Sequence, residues 1–158
     1  MADTKAEMPA RALAFICGCT DADKLEQLIE NAHGRGEAEV ERAAMLRLYE
    51  VKPAAKPGSL EHDVWRSIYA LEGALSSERE RTTRLGRTRP KIAQDGEAAT
   101  VADLVMKKQA SEGFHMLMDR DMAQLTFEAV ALRHPDRFTE EVRAAARARL
   151  ETAGAEVR

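Results

Sequence analysis

The sequence predicts an all-α fold for three reasons: apolar residues recur at helical spacing, helix-start and helix-stop signals follow one another along the chain, and no stretch shows the sustained polar–apolar alternation of a strand. Its 158 residues fit one domain, and the 44% hydrophobic content excludes collagen-like and wholly disordered chains. We expect a compact multi-helix domain in which an N-terminal αα-hairpin packs on a C-terminal helical bundle. The expected parts of this single domain (1–158) are the hairpin at 1–50, a linker at 51–59 and the bundle at 60–154.

The predicted N-terminal part begins at Pro9, which suits a first helical turn and is followed by an apolar stretch. Thr20 and Asp23 are typical of a capping pair that opens the next helix. The segment 33–36 (His-Gly-Arg-Gly) is expected to end this helix, because glycine tolerates the left-handed backbone of a helix terminus. A further helix is predicted from about residue 37 to residue 50, and two helices joined by a short glycine-containing turn form an αα-hairpin.

Two prolines and a glycine interrupt any helix between residues 51 and 59, which marks the linker. Ser59 is then expected to cap a long central helix that carries Trp65, the only tryptophan. Four shorter helices follow, of which the third is stopped by Pro135 and the last ends near Gly154. The residues expected to begin these four helices are Thr100 with Asp103, Ser111, Thr126 and Thr139.

One residue separates the two cysteines, Cys17 and Cys19, which excludes a disulfide framework, the four-residue redox motif and the usual zinc half-site. We interpret both as buried thiols. The longest apolar run, residues 12–19, is far shorter than the roughly 20 residues of a bilayer span. The first residues lack the basic start of a signal peptide, and the residues before Cys17 fit a lipoprotein site poorly. We expect a cytoplasmic protein that does not associate with membranes.

Residues 79–91 carry most of the functional signal. They hold six cations and one acid, Glu80, for a local charge of +5, whereas the whole chain has a net charge of −3. Phosphate backbones attract such clusters because each neutralised phosphate releases condensed counterions, and the planar arginine fork binds phosphate or guanine edges in a bidentate manner. Few aromatic residues accompany the cations, which favours duplex DNA over single strands. The predicted nucleic-acid contacts are Arg81, Thr82, Thr83, Arg84, Arg87, Thr88, Arg89 and Lys91.

The five residues Arg87-Thr88-Arg89-Pro90-Lys91 resemble the AT-hook, a short minor-groove-binding motif with Arg-Gly-Arg-Pro at its centre. Thr88 stands where the motif has glycine, and a side chain there obstructs deep entry into a narrow groove. We therefore expect backbone contacts at a helix end and the following turn, with Arg87 or Arg89 reaching a groove and the threonine hydroxyls adding hydrogen bonds to phosphate.

Two alternatives remain open for residues 79–91, which we call the basic segment. It is also typical of a solvated charged face, in which Glu78 and Glu80 pair with Arg81 and Arg84 at helical spacing. The second alternative is that the chain is a helical protein–protein interaction adaptor or a small homo-oligomer, in which the basic segment meets an acidic protein partner.

No catalytic constellation is recognisable in the sequence. The histidines at positions 33, 62, 115 and 134 are scattered, without the spacing of a helical metal site. No glycine-rich phosphate loop or nucleophile motif occurs. Glu128 lies among apolar residues, and we expect it on the wet face of its helix because carboxylates are rarely buried without partners. We predict a non-enzymatic protein with no metal and no cofactor.

Overall fold

The computed structural model describes residues 7–156, and the prediction of an all-α fold is confirmed. Within this range there are nine α-helices, two short 3-10 turns (Ala123–Leu125 and Pro135–Arg137) and no β-strand. The α-helices are α1 (Glu7–Gly18), α2 (Ala22–Arg35), α3 (Ala38–Val51), α4 (Leu60–Arg79), α5 (Thr88–Asp95), α6 (Glu97–Val105), α7 (Glu112–Asp119), α8 (Phe127–Arg133) and α9 (Glu140–Thr152). Contacts divide the chain into two units, residues 1–53 and residues 54–158.

In the first unit, α2 and α3 form a hairpin, and α1 also packs against α3. Gly36 makes the turn between α2 and α3, with a positive φ of 68° and a backbone N–H directed at the carbonyls of Ala32 and His33. The start of α2 differs from the expected Thr20–Asp23 pair. Asp21 is the N-cap, because its carboxylate accepts hydrogen bonds from the backbone N–H groups of Asp23 and Lys24 at 3.0 and 3.3 Å.

The two cysteines have different environments, so the prediction of two buried thiols is wrong for one of them. Cys19 is buried beside Ile16 in the core of the first unit, whereas Cys17 is exposed. Successive side chains of a helix point about 100° apart. Because Ile16 lies on the buried face of α1, the next residue, Cys17, points away from that face. Phe15 and Met8 are also exposed on this helix.

In the second unit, α4 is the central helix and contacts α6, α7 and α8. Ser59 caps it as expected, since the Ser59 hydroxyl accepts a hydrogen bond from the His62 N–H at 3.1 Å. At about 1.5 Å per residue, its 20 residues span roughly 30 Å. The core that it organises contains the following buried apolar residues: Leu60, Val64, Ile68, Ile92, Val101, Val105, Val130, Ala131, Phe138, Val142 and Ala146.

Among the described residues, five shorter helices follow α4: the sequence did not predict α5, and three of the four that it did predict begin as expected. The hydroxyls of Ser111, Thr126 and Thr139 accept hydrogen bonds from N–H groups three residues further on, at 3.1, 3.2 and 3.3 Å. The expected cap at Thr100 is wrong, because α6 begins at Glu97 and encloses it. Thr100 is fully buried, and its hydroxyl donates back to the carbonyl of Gly96 at 2.8 Å.

Candidate nucleic-acid interface

The basic segment spans the end of α4, an irregular connection over residues 80–87 and the start of α5. Glu80 ends α4 in the left-handed conformation, with φ 51°. Two contacts fasten the connection to α4. The N–H of Thr83 donates to the Ser76 hydroxyl at 2.9 Å, and the N–H of Leu85 donates to the Glu72 carboxylate at 2.9 Å. The Leu85 side chain also packs against the core of the second unit.

Arg89 is held by this molecule's own carboxylate. Its Nε and Nη2 atoms both donate to Glu72, at 2.7 Å each, and its guanidinium lies over the rings of Trp65 and Tyr69 at 5.1 and 5.8 Å from their centroids. Glu72 is buried, with 7% exposure. This bidentate geometry joins α5 to α4, and it commits two of the three nitrogens of the guanidinium to the fold.

Glu72 and Arg89 each stabilise the charged form of the other. Burial alone would raise the pKa of Glu72, but the hydrogen bonds from Arg89 and from the Leu85 N–H, with the charges of Arg89 and Arg84, lower it overall. The hydrogen bonds to Glu72 in turn raise the pKa of Arg89 against the opposing effect of burial. Both groups are therefore ionised at neutral pH.

Lys91 is also paired within the molecule. Its Nζ atom lies 2.8 Å from Asp103 and 3.0 Å from Asp95, and hydrogen bonds to these two carboxylates raise its pKa. Thr88 is the first residue of α5 and is half-buried. The Thr83 hydroxyl donates to the Arg81 carbonyl at 3.1 Å, whereas Thr82 is exposed.

Four arginines of the segment remain available to an outside anion. Their side chains are exposed, and among residues 7–156 no carboxylate lies within 4.0 Å of their guanidinium groups. The expected helical pairing with Glu78 and Glu80 does not form, since Glu78 instead pairs with Arg120 at 2.9 Å. The four arginines are Arg79, Arg81, Arg84 and Arg87.

Arg79 and Arg87 line a cleft of about 370 Å³ between α4, the connection and the first turns of α5 and α7. We call it the basic cleft, because four cationic side chains and a single carboxylate, that of Glu112, line it. Residues 54–158 contain 17 Lys or Arg and 17 Asp or Glu residues, so this excess of positive charge is local. The charged and apolar residues that line the cleft are Leu71, Leu75, Arg79, Leu85, Arg87, Lys91, Leu104, Lys107, Glu112 and Met116.

Lys107, which is not among the predicted contacts, enters the basic cleft from the loop after α6. A buried ion pair positions this loop. Arg149 donates to Glu128 at 2.9 Å and to the carbonyl of Leu104 at 3.4 Å, and it also hydrogen-bonds the carbonyl of Lys107. The expectation that Glu128 lies on the wet face is therefore wrong: Glu128 is 4% exposed, and Arg149 is the partner that makes its burial tolerable.

A second charged cluster joins the start of α4 to the segment after α8. Asp63 is buried and accepts a hydrogen bond from His134 Nε2 at 2.7 Å, with Arg66 and Arg133 at 3.1 and 3.3 Å. Burial would raise the pKa of Asp63, but the hydrogen bond from His134 and the charges and hydrogen bonds of Arg133 and Arg66 lower it overall. This network links residues about 70 positions apart, and we assign it a structural role.

Comparisons of the chain with family models, with curated proteins and with solved structures gave no significant match. Among residues 7–156, no helix combines the length and the apolar character that crossing a bilayer requires.

Proposed function

We propose that the protein is a non-enzymatic nucleic-acid-binding protein that contacts the backbone of duplex DNA through the exposed arginines of the segment 79–87 and through Lys107. One observation carries the proposal. Four arginines lack carboxylate partners within the described part of the chain, and two of them share the basic cleft with Lys107. A footprint for a polyanion requires cations that converge on one side of a molecule, and the basic cleft brings cations from separate elements together.

The ion pairs of Arg89 and Lys91 revise the predicted set of contacts. Arg89 is held by Glu72 and by the rings of Trp65 and Tyr69, so it is not among the principal contacts with DNA. Arg81, Arg84 and Arg87, with the exposed hydroxyl of Thr82, are the principal contacts of the proposal. Guanidinium groups without intramolecular partners lose less on binding phosphate, because no existing ion pair has to be broken.

The connection is also fastened to α4 before any ligand arrives. On either side of Arg84, the backbone N–H groups of Thr83 and Leu85 donate to the side chains of Ser76 and Glu72. Fixing this backbone in advance lowers the conformational entropy that binding would otherwise cost. The free cysteines of the first unit fit a reducing compartment, so we place the activity in the cytoplasm.

Salt-dependent binding tests the proposal. Fluorescence anisotropy with a labelled 20-base-pair duplex of unrelated sequence would give the affinity at several salt concentrations. The double variant Arg84→Gln, Arg87→Gln removes two phosphate contacts and should reduce the slope of log K against log salt by about 1.8, at roughly 0.9 for each contact. The matched control Arg35→Gln, Arg147→Gln removes two other exposed arginines and should leave that slope unchanged.

A slope that neither double variant changes, or that both reduce equally, would overturn the assignment of the site. Failure to bind either duplex DNA or heparin, with a molecular mass by light scattering that rises with concentration, would instead favour the helical adaptor or homo-oligomer.

A further inference from the structure

The basic cleft has an apolar lining that phosphate-backbone binding does not use. Leu71 and Met116 are buried residues of this lining, whereas Leu75 and Leu104 are half-exposed. Its volume of about 370 Å³ lies within the range of roughly 300–1,000 Å³ that small-molecule sites occupy. A ligand that filled the cleft would therefore need an apolar body.

Close packing of two helices forms one wall of the cleft. Gly113, in the first turn of α7, faces Leu71 of α4 so closely that a Cβ at this position would lie 3.0 Å from the Leu71 Cδ2 atom. The absence of a side chain at Gly113 therefore allows α7 to approach α4 closely at this wall.

The charged residues that line the cleft indicate the chemistry of the ligand's polar head. Lys91 already pairs with Asp95 and Asp103, but Arg79, Arg87 and Lys107 have no carboxylate within 4.0 Å among the described residues. Glu112 is the one acid in the lining, so the electrostatic balance favours an anion. A carboxylate or phosphate head satisfies these donors, whereas a cationic head is repelled.

We infer that the basic cleft binds a small single-chain amphiphilic anion, with its apolar chain along Leu75 and Leu104 and its carboxylate or phosphate head at Arg79, Arg87 and Lys107. Because Arg79, Arg87 and Lys107 also belong to the proposed DNA contacts, such a ligand competes with DNA. This competition, unlike the binding of the ligand itself, rests on the proposed function.

Isothermal titration calorimetry with decanoate, below its micelle concentration, tests the inference directly. One decanoate should bind per chain. Butyrate, which has the same head and a shorter chain, should bind about tenfold or more weakly because it leaves apolar surface uncovered. Decyltrimethylammonium has a long chain and the opposite charge, and it should not bind. Equal affinities for decanoate and butyrate, or for the anion and the cation, would overturn the inference.

Three variants separate the cleft from the DNA contacts. Arg87→Gln should weaken both decanoate and DNA, the former about tenfold for the loss of a charged hydrogen bond. Leu104→Gln should weaken decanoate and leave DNA binding unchanged, and Arg81→Gln should do the reverse, since Arg81 does not line the cleft. Arg81 and Arg87 are exposed, so these two variants will fold even if Leu104→Gln does not.

The same reagents distinguish the two proposals when one fails. Decanoate binding without DNA binding would refute the proposed function and support the ligand site. DNA binding without decanoate binding would refute the ligand site and support the proposed function. If both bind, decanoate should displace labelled duplex from the wild-type protein and not from the Leu104→Gln variant. Sedimentation with phosphatidylglycerol vesicles, without affinity for monomeric decanoate, would show that the surface recognises a bilayer and would overturn the inference.

Discussion

The contact between Glu72 and Arg89 is the interaction on which the geometry of the basic segment most depends, and Glu72→Gln tests it. The substitution keeps the volume of the side chain and removes its charge. The carboxylate of Glu72 accepts from Arg89 at two atoms and from the N–H of Leu85, and a glutamine can offer only one oxygen to these donors. Its amide group would then face the guanidinium as a second donor, with no acceptor between them.

The expected loss in the free energy of unfolding depends on how deeply the Glu72–Arg89 pair is buried. Removing one member of a buried ion pair costs about 3–5 kcal/mol. The Glu72 side chain is 10% exposed but that of Arg89 is 26% exposed, so water can reach the guanidinium and recover part of the loss. We therefore expect Glu72→Gln to lower the free energy of unfolding by about 2 kcal/mol. In a domain of 158 residues, that loss corresponds to a decrease in Tm of roughly 6 °C.

Urea unfolding followed by fluorescence measures this effect, because Trp65 is the only tryptophan and lies 5.1 Å from the Arg89 guanidinium. The control is Glu78→Gln, which breaks the exposed pair between Glu78 and Arg120 and should cost less than about 0.5 kcal/mol. Equal midpoints for the two variants would refute the conclusion that Glu72 anchors the connection.

The remaining predictions concern acid stability and thiol reactivity. Because the pKa of Asp63 is lowered in the folded state, its contribution is present above the unfolded pKa and is lost as the pH falls below about 4. Asp63→Asn should therefore lower stability at pH 7 and flatten its decline towards acid in thermal unfolding; an unchanged decline would contradict the assignment. Iodoacetamide should modify Cys17 faster than Cys19 in native protein, by peptide mass spectrometry, and equal rates would contradict the placement of Cys19 in the core.

Helix starts could be predicted where the signal is local. Ser59, Ser111 and Thr139 each cap a helix through a hydrogen bond to an N–H only three residues away, so the residue type and the next few positions decide the outcome. Thr100 has the same chemistry but lies inside α6. Its burial against the core outweighs its capping preference, and that packing is not visible in a short window of sequence.

Ion pairing could not be predicted, because it depends on which elements meet. Glu72 and Arg89 are 17 positions apart, whereas Glu80, the nearest acid to Arg81 in sequence, makes no pair with it in the described part of the chain. The expectation that Glu78 and Glu80 pair with arginines at helical spacing required α4 to continue past Arg79. The helix instead ends there, with Glu80 in the left-handed conformation, so the residues that follow do not share a helix face with Glu78.

The distinction between paired and unpaired cations therefore changes what the local charge of residues 79–91 means. Glu72 neutralises Arg89 at contact distance, and Asp95 and Asp103 neutralise Lys91, so these cations add little to the field that an outside anion meets. The same pairs hold the connection and α5 against the rest of the second unit. Arg89 and Lys91 thus have a structural role. The arginines at 79, 81, 84 and 87, which have no carboxylate partner among the described residues, present their charge from a backbone that the paired cations keep in place, and we propose them as the ligand-binding groups.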